Sequence, residues 1–299
     1  MKIIFSFVLL TTAMFSFAQL PKPSSGSVRR LENMQSKYVP PRNVDVWLPD
    51  GYSASKKYAV LYMHDGQMLY DSNTTWNKQE WKVDEIVSGL LADKKIKDCI
   101  VVGVWNTGQY RHSEYFPQKP LGYLPASFRD SLVRMALAGG PRSDAYLMFL
   151  VKELKPFIDS SFAVYTDPAN TFIMGSSMGG LISMYAVCEY PGVFGGAACL
   201  STHWPGTFGQ NDIIPAAFNR YLAEHLPSQR NHKIYFDYGT ATLDSLYKRH
   251  QLLIDKTMKA KGYNSKNWIT KEFTGEDHTE KAWGRRLDIP LVFLMGRKY

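Results

Sequence analysis

Cysteine is scarce in this chain: Cys99, Cys188 and Cys199 are the three among 299 residues. Each falls inside an apolar segment, which argues against a disulfide framework and for buried free thiols. Long apolar runs are equally few. Beyond residue 18 no stretch approaches the roughly 20 apolar residues that a spanning helix needs, so no later membrane anchor is expected. Charge of one sign is not gathered anywhere. The formal net charge is +8, and the lysines and arginines are scattered rather than striped, which argues against a nucleic-acid partner. An anionic glycan or cell-surface partner stays open. The sequence has no G-x-G-x-x-G turn and no P-loop, so neither a dinucleotide nor a nucleoside triphosphate is implied. His64 and Asp65 are adjacent, but no H-E-x-x-H pair or ligand cluster accompanies them, so no metal or other cofactor is expected. Repeats and low-complexity tracts are missing after a Pro/Ser/Gly-rich leader at 20–27, which points to one domain with no appended module.

What is present begins at the N-terminus. Lys2 precedes an apolar run from Ile3 to Phe15, and Ser16-Phe17-Ala18 before Gln19 has the small-x-small form of a signal peptidase site. Residues 1–18 therefore read as a signal peptide, with a retained anchor as the alternative that the short run disfavours. The reading predicts a secreted or periplasmic protein whose net charge falls to +7 with the loss of Lys2. Residues 19–37 follow as leader and first strand, and 38–299 as the main domain. With 45% hydrophobic and 14% aromatic residues, that domain has ample material for a core.

Period-two and continuous apolar runs predict strands at 28–36, 42–49, 58–63, 99–105, 171–174, 194–200, 233–238 and 267–273. Helical spacing predicts helices at 81–93, 143–158, 181–188, 246–261 and 290–295. Repeated strand-then-helix units imply an α/β fold with a mostly parallel sheet, opened by antiparallel N-terminal strands and covered by helices on both faces. The segment Asn106 to Pro141 is long for a connection in such a fold and holds Tyr110, Arg111, His112, Glu114, Tyr115 and Phe116. Such loops commonly bind substrate, although packing of a surface loop explains the same residues.

Phe172 to Gly180 is the chemically informative stretch. An apolar strand ends in Gly175-Ser176-Ser177-Met178-Gly179, and a helix pattern follows. A serine on a sharp strand-to-helix turn needs very small neighbours two positions away on each side. Ser177 has Gly175 and Gly179 there, whereas Ser176 has two methionines, so Ser177 is the candidate nucleophile. A serine hydroxyl needs a histidine base, and the base needs a carboxylate to fix its tautomer. If the order in the chain is serine, acid, histidine, then His64 and His112 come too early. His225 and His250 fall in helices, and His232 lies at the wrong end of a strand. His203 comes before any suitable acid, though it sits where it can line a pocket. His278, in the loop after the strand at 267–273, is left as the base. For the acid, Asp244 lies beyond the carboxyl end of its strand, where the sites of open α/β sheets form. Asp237 inside that strand is the second choice, and a helix-capping role competes for Asp244. The oxyanion donors are expected to be the backbone N–H groups of Met178 and Gln67.

These residues, with His64-Asp65-Gly66-Gln67 and the Gly239 to Asp244 turn, resemble the Putative esterase family of the α/β-hydrolase fold. That family includes esterase D, the enterochelin esterases, the feruloyl and acetylxylan esterases of carbohydrate esterase family 1, and the mycobacterial mycolyltransferases. The resemblance spans about residues 40–298. It implies a cofactor-independent serine esterase with Ser177 as nucleophile, Asp244 as acid, His278 as base, and Gln67 and Met178 as the oxyanion hole. Export fits carbohydrate-linked acetyl or feruloyl esters, or siderophore esters, better than a cytosolic thioester. Trp105, Arg111, Tyr115, His203 and Trp204 are the candidate substrate contacts. An acyltransferase to a glycan hydroxyl and a catalytically silent glycan-binding relative are the alternatives. The acyl group, the alcohol and the oligomeric state stay open.

Overall fold

The computed structural model describes residues 19–297, so the expected signal peptide lies outside the described residues. One sheet is built from eight strands: β1 (Ser27–Met34), β2 (Arg42–Leu48), β3 (Ala59–His64), β4 (Cys99–Val104), β5 (Thr171–Ser176), β6 (Gly196–Leu200), β7 (Lys233–Gly239) and β8 (Trp268–Phe273). Their spatial order is β1-β2-β4-β3-β5-β6-β7-β8. The two N-terminal pairings are antiparallel, and the others are parallel. This is the α/β architecture that the alternating pattern implied.

The reason those strands read as unbroken apolar runs is visible in the cores. Side chains alternate across a strand, so Val60 and Tyr62 of β3 enter one hydrophobic cluster, together with Ile100, Val102 and Ile173. Ala59, Leu61 and Met63 of the same strand enter a second cluster on the other face with Val101, Phe172 and Met174. Both faces are covered, as parallel sheets require. The helix Met178–Glu189 follows β5 directly and is buried on every side from Met178 to Cys188, which matches its lack of a polar face. The three cysteines are buried free thiols, and no described helix is long and apolar enough to cross a membrane.

Most predicted boundaries hold within a few residues, with two informative differences. The predicted helix at 143–158 is divided into Ser143–Phe149, a wider turn at Leu150–Leu154, and Lys155–Ser161. The long connection is largely structured, with helices Arg111–Tyr115 and Ala126–Ala136 flanking a short turn at Lys119–Tyr123. A helical stripe is hard to read there because Arg111–Tyr115 is little more than one turn and Ala126–Ala136 buries only Leu132. The result matters for the site: β3, β5, β6, β7 and β8 all point their carboxyl ends toward the same edge, where this connection also folds.

Candidate active site

Ser177 caps the helix that follows β5 and adopts φ 57° and ψ −122°, a backbone region that a residue with a side chain occupies only when its surroundings hold it there. Those surroundings are specific. The Ser177 N–H donates to the Leu200 carbonyl at 2.9 Å, and the Ser177 carbonyl accepts from the His203 N–H at 3.2 Å. A Cβ at Gly175 would lie 2.8 Å from the main chain of Gly179, so the turn closes only with glycine at 175. Gly179 is less constrained, since its Cβ would first meet His64 Cβ at 3.4 Å. The two glycines thus differ, because one has backbone above it and the other has the edge of a side chain.

The acid turn and the histidine loop are tied together. Thr240 and Ala241 N–H groups both donate to the Glu276 carbonyl, at 3.1 and 3.0 Å. The Gly275 N–H donates to Thr240 Oγ1, and the His278 N–H to Thr242 Oγ1 at 3.0 Å. Gly239 lies so close under this loop that a Cβ would sit 2.1 Å from the Glu276 oxygen. This clasp delivers His278 Nδ1 to 2.5 Å from Asp244 Oδ1. Asp244 is fully buried and His278 partly open, which leaves the imidazole's far nitrogen to serve a neighbour. The other Asp244 oxygen accepts from the Gly239 N–H at 2.6 Å and from Ser201 Oγ at 2.5 Å. Ser201 in turn accepts from Trp283 Nε1 and Arg286 Nη2, both at 2.9 Å. Asp237 is engaged elsewhere: Arg286 donates to both its oxygens at 3.0 and 3.1 Å, and Ser201 N–H and Tyr235 OH supply the rest. Burial holds the Asp237 carboxyl above the usual range despite that partner.

Tyr247 links the elbow to this loop. Its hydroxyl meets His203 Nδ1 at 2.8 Å, and its N–H donates to the Asp244 carbonyl at 2.9 Å. Its ring stands edge-on to His278 with centroids 5.9 Å apart, and Trp283 boxes His278 from another side at 5.0 Å. Burial, reinforced by His278 and His112, lowers the His203 pKa to about 3, so that ring is neutral near pH 7.

On the other side of the elbow, β3 ends at His64 and a short turn, Gly66–Met68. Gln67 lies in this turn, and Met178 is the first residue of its helix, where a backbone N–H has no acceptor within the helix. The preceding Asp65 is held in the left-handed region at φ 56°. Arg111 grips its carboxylate through Nε at 2.8 Å and Nη2 at 2.7 Å, and Asn106 Nδ2 adds a third bond at 2.7 Å. Burial alone would raise the Asp65 pKa, but Arg111 and Asn106 bring it below the usual carboxylate range. His64 Nδ1 meets Tyr146 OH at 2.8 Å, and burial drives its pKa down to about 3. Arg111 and Tyr115 therefore face inward, Tyr115 OH accepting from the Asp65 N–H at 3.3 Å. Trp105 faces the N-terminal strands, donating to Asp45 Oδ2 at 2.8 Å beneath the Arg30 guanidinium. Trp204 is in the core and donates to Gln251. Among the described residues no trio of His, Cys, Asp or Glu is arranged to hold a metal.

The structure thus places Asp244 against His278, joins the acid turn to the elbow through Tyr247 and His203, and sets the Gln67 turn against the opposite flank. Sequence reasoning missed Ser201, Tyr247, Trp283 and Arg286. A faint signal existed in Tyr247, three residues after Asp244, and in Trp283, five after His278.

This arrangement agrees with a match to the family model described as Putative esterase, which spans residues 38–292. The chain belongs to the Putative esterase family. The chain is similar to YbbA of Bacillus subtilis, an uncharacterized protein, with 26% identity over 165 residues, covering 54% of this chain and 58% of that protein. It is also similar to an endo-1,4-beta-xylanase/feruloyl esterase of Xylanibacter ruminicola, 28% identical over 186 residues, covering 60% of this chain and 22% of that protein. The matched part is less than two thirds of the length of either relative. Among solved structures, the enterobactin esterase FES of Shigella flexneri aligns with a TM-score of 0.67 at 15% identity, over 92% of this chain and 60% of that one. That likeness concerns the fold, and the α/β-hydrolase fold is shared.

Proposed function

We propose that this member of the Putative esterase family hydrolyses carboxylic esters through a Ser177–His278–Asp244 triad. The observation that carries the reading is the 2.5 Å contact of His278 with buried Asp244, set beside a strained serine at a strand-to-helix turn. His278 takes the Ser177 Oγ proton as Oγ attacks the ester carbonyl carbon. The carbonyl oxygen becomes an oxyanion, which the N–H groups of Met178 and Gln67 receive. Collapse of this intermediate breaks the bond to the alcohol, which leaves with the proton from His278, and the acyl group stays on Ser177. Water then gives a proton to His278 and attacks the acyl-enzyme, releasing the acid and restoring the serine. Asp244 stabilises the imidazolium at both stages and keeps Nδ1 protonated. Asp65, pinned by Arg111 and Asn106, sets the conformation of the turn that presents Gln67.

The substrate we propose is a carbohydrate-linked acetyl or feruloyl ester, or a siderophore ester, met outside the cytoplasm after removal of residues 1–18. The feruloyl esterase named among the relatives and the enterobactin esterase of the same fold support these two classes. The test is a panel of acetyl, feruloyl and catecholate siderophore esters, combined with fluorophosphonate labelling. Labelling confined to Ser177 and turnover of at least one class are expected; an unlabelled protein inert toward all three contradicts the reading.

A further inference from the structure

Ser201 is fully buried just past the end of β6, and the three segments of the proposed triad meet at it. The carbonyl of Leu200, the residue before it, accepts the Ser177 N–H at 2.9 Å. The Ser201 backbone lies in the left-handed region at φ 41°, which is uncommon for a residue with a side chain. In that conformation its N–H donates to Asp237 Oδ1 at 3.0 Å and its hydroxyl meets Asp244 Oδ2 at 2.5 Å. From the segment after His278, Trp283 Nε1 and Arg286 Nη2 each approach Ser201 Oγ to 2.9 Å. Indole and guanidinium nitrogens can only donate. They take both lone pairs of Oγ, so its one proton goes to Asp244. With the Gly239 N–H at 2.6 Å, Oδ2 then holds two fixed donors, and Oδ1 is left for His278 Nδ1 at 2.5 Å.

Resting on the hydrolase reading above, we propose that Ser201 is a positioning residue of the triad: its hydroxyl, locked by Trp283 and Arg286, holds the Asp244 carboxylate with Oδ1 toward the base. Asp244 is closed to solvent, so no bulk water replaces the hydroxyl. The two donors on Oδ2 share the carboxylate's charge, and they thereby set how hard Oδ1 draws on the His278 Nδ1 proton. Arg286 itself comes no nearer to Asp244 than 3.9 Å, because Asp237 holds it through both carboxylate oxygens. The Ser201 hydroxyl is the direct link between that buried charge and the acid. The other ionisable groups around the pair are Tyr235 beside Asp237, Tyr247 and His203 on the elbow side, and Glu276 and Asp277 in the loop of His278 itself. A change at Ser201 leaves all of them in the chain.

The test is the pH dependence of kcat/KM for 4-nitrophenyl acetate, in wild type and Ser201→Ala at equal folded concentration. In the variant Asp244 loses one donor, draws harder on the imidazole proton and favours the charged form of the base. The acid limb reports that base in the free enzyme. It is expected to move up by at least about half a pH unit, about a threefold loss on that limb beyond any change in the plateau. A serine that merely filled space would scale the whole profile by one factor and leave the limb in place. Ser201→Cys fills the site with a weaker donor, and its limb is expected to move in the same direction. A limb that stays within about 0.3 units of wild type in Ser201→Ala, or moves down, overturns the proposal. If that variant does not fold, the cysteine variant decides by the same criterion. Wild-type protein with neither turnover nor fluorophosphonate labelling of Ser177 would instead overturn the hydrolase reading, and the role of Ser201 with it.

Discussion

His278 Nδ1 lies 2.5 Å from Asp244 Oδ1, whereas Asp237, on the same strand-and-turn segment, gives both carboxylate oxygens to Arg286. The two aspartates that compete in the sequence are thus separated by their partners. Asp244→Asn is expected to lower kcat/KM by about 10²–10⁴-fold, since an amide cannot hold the required tautomer. Asp237→Asn removes the carboxylate that Arg286 grips through two nitrogens, leaving that buried guanidinium only the more distant Asp244, at 3.9 Å, as counter-charge, and is expected to cost about 3 kcal/mol of stability. It should leave turnover per folded molecule within tenfold. Steady-state kinetics and urea unfolding of both variants check the division of labour.

The elbow makes a steric prediction that separates its two glycines. Gly175→Ala forces a Cβ to within 2.8 Å of the Gly179 main chain, and the expected loss exceeds about 2 kcal/mol. Gly179→Ala places its Cβ at the edge of ordinary contact with His64 and gains helix propensity, so the expected change is within about 1 kcal/mol. Thermal unfolding of the two variants measures the difference.

Asp84 gives a pH dependence. Burial, reinforced by the neighbouring Glu85, raises its pKa to about 7, and its carboxylate accepts from the Ser24 N–H at 2.6 Å. A carboxyl with a raised folded pKa contributes stability that is fully present below its unfolded value near 3.8. That contribution is lost as pH rises toward 7. Asp84→Asn keeps an acceptor for Ser24 and cannot ionise. Its Tm is expected to match wild type near pH 3.5 and to exceed it at pH 8; a constant difference across that range contradicts the assignment.

The sheet was legible because its strands are buried on two faces, which makes β3, β4 and β5 continuous apolar runs, and because Ser177 is bracketed by glycines. His278 emerged through elimination by position. The contacts around them were not legible. Arg111 and Tyr115 look like rim residues in the sequence, but the charge and ring are spent on Asp65 and His64. Trp204 looks like a pocket residue because it follows His203, yet the chain turns it into the core toward Gln251. Ser201, Trp283 and Arg286 meet Asp244 and Asp237 across three separate segments, and no local spacing encodes that meeting.

The central claim is that Ser177 is the nucleophile. Turnover of 4-nitrophenyl acetate by purified Ser177→Ala, compared with wild type at equal folded concentration, tests it most directly. Serine-dependent acylation predicts a fall of at least about 10³-fold with an unchanged unfolding midpoint. Undiminished turnover in the alanine variant would contradict it.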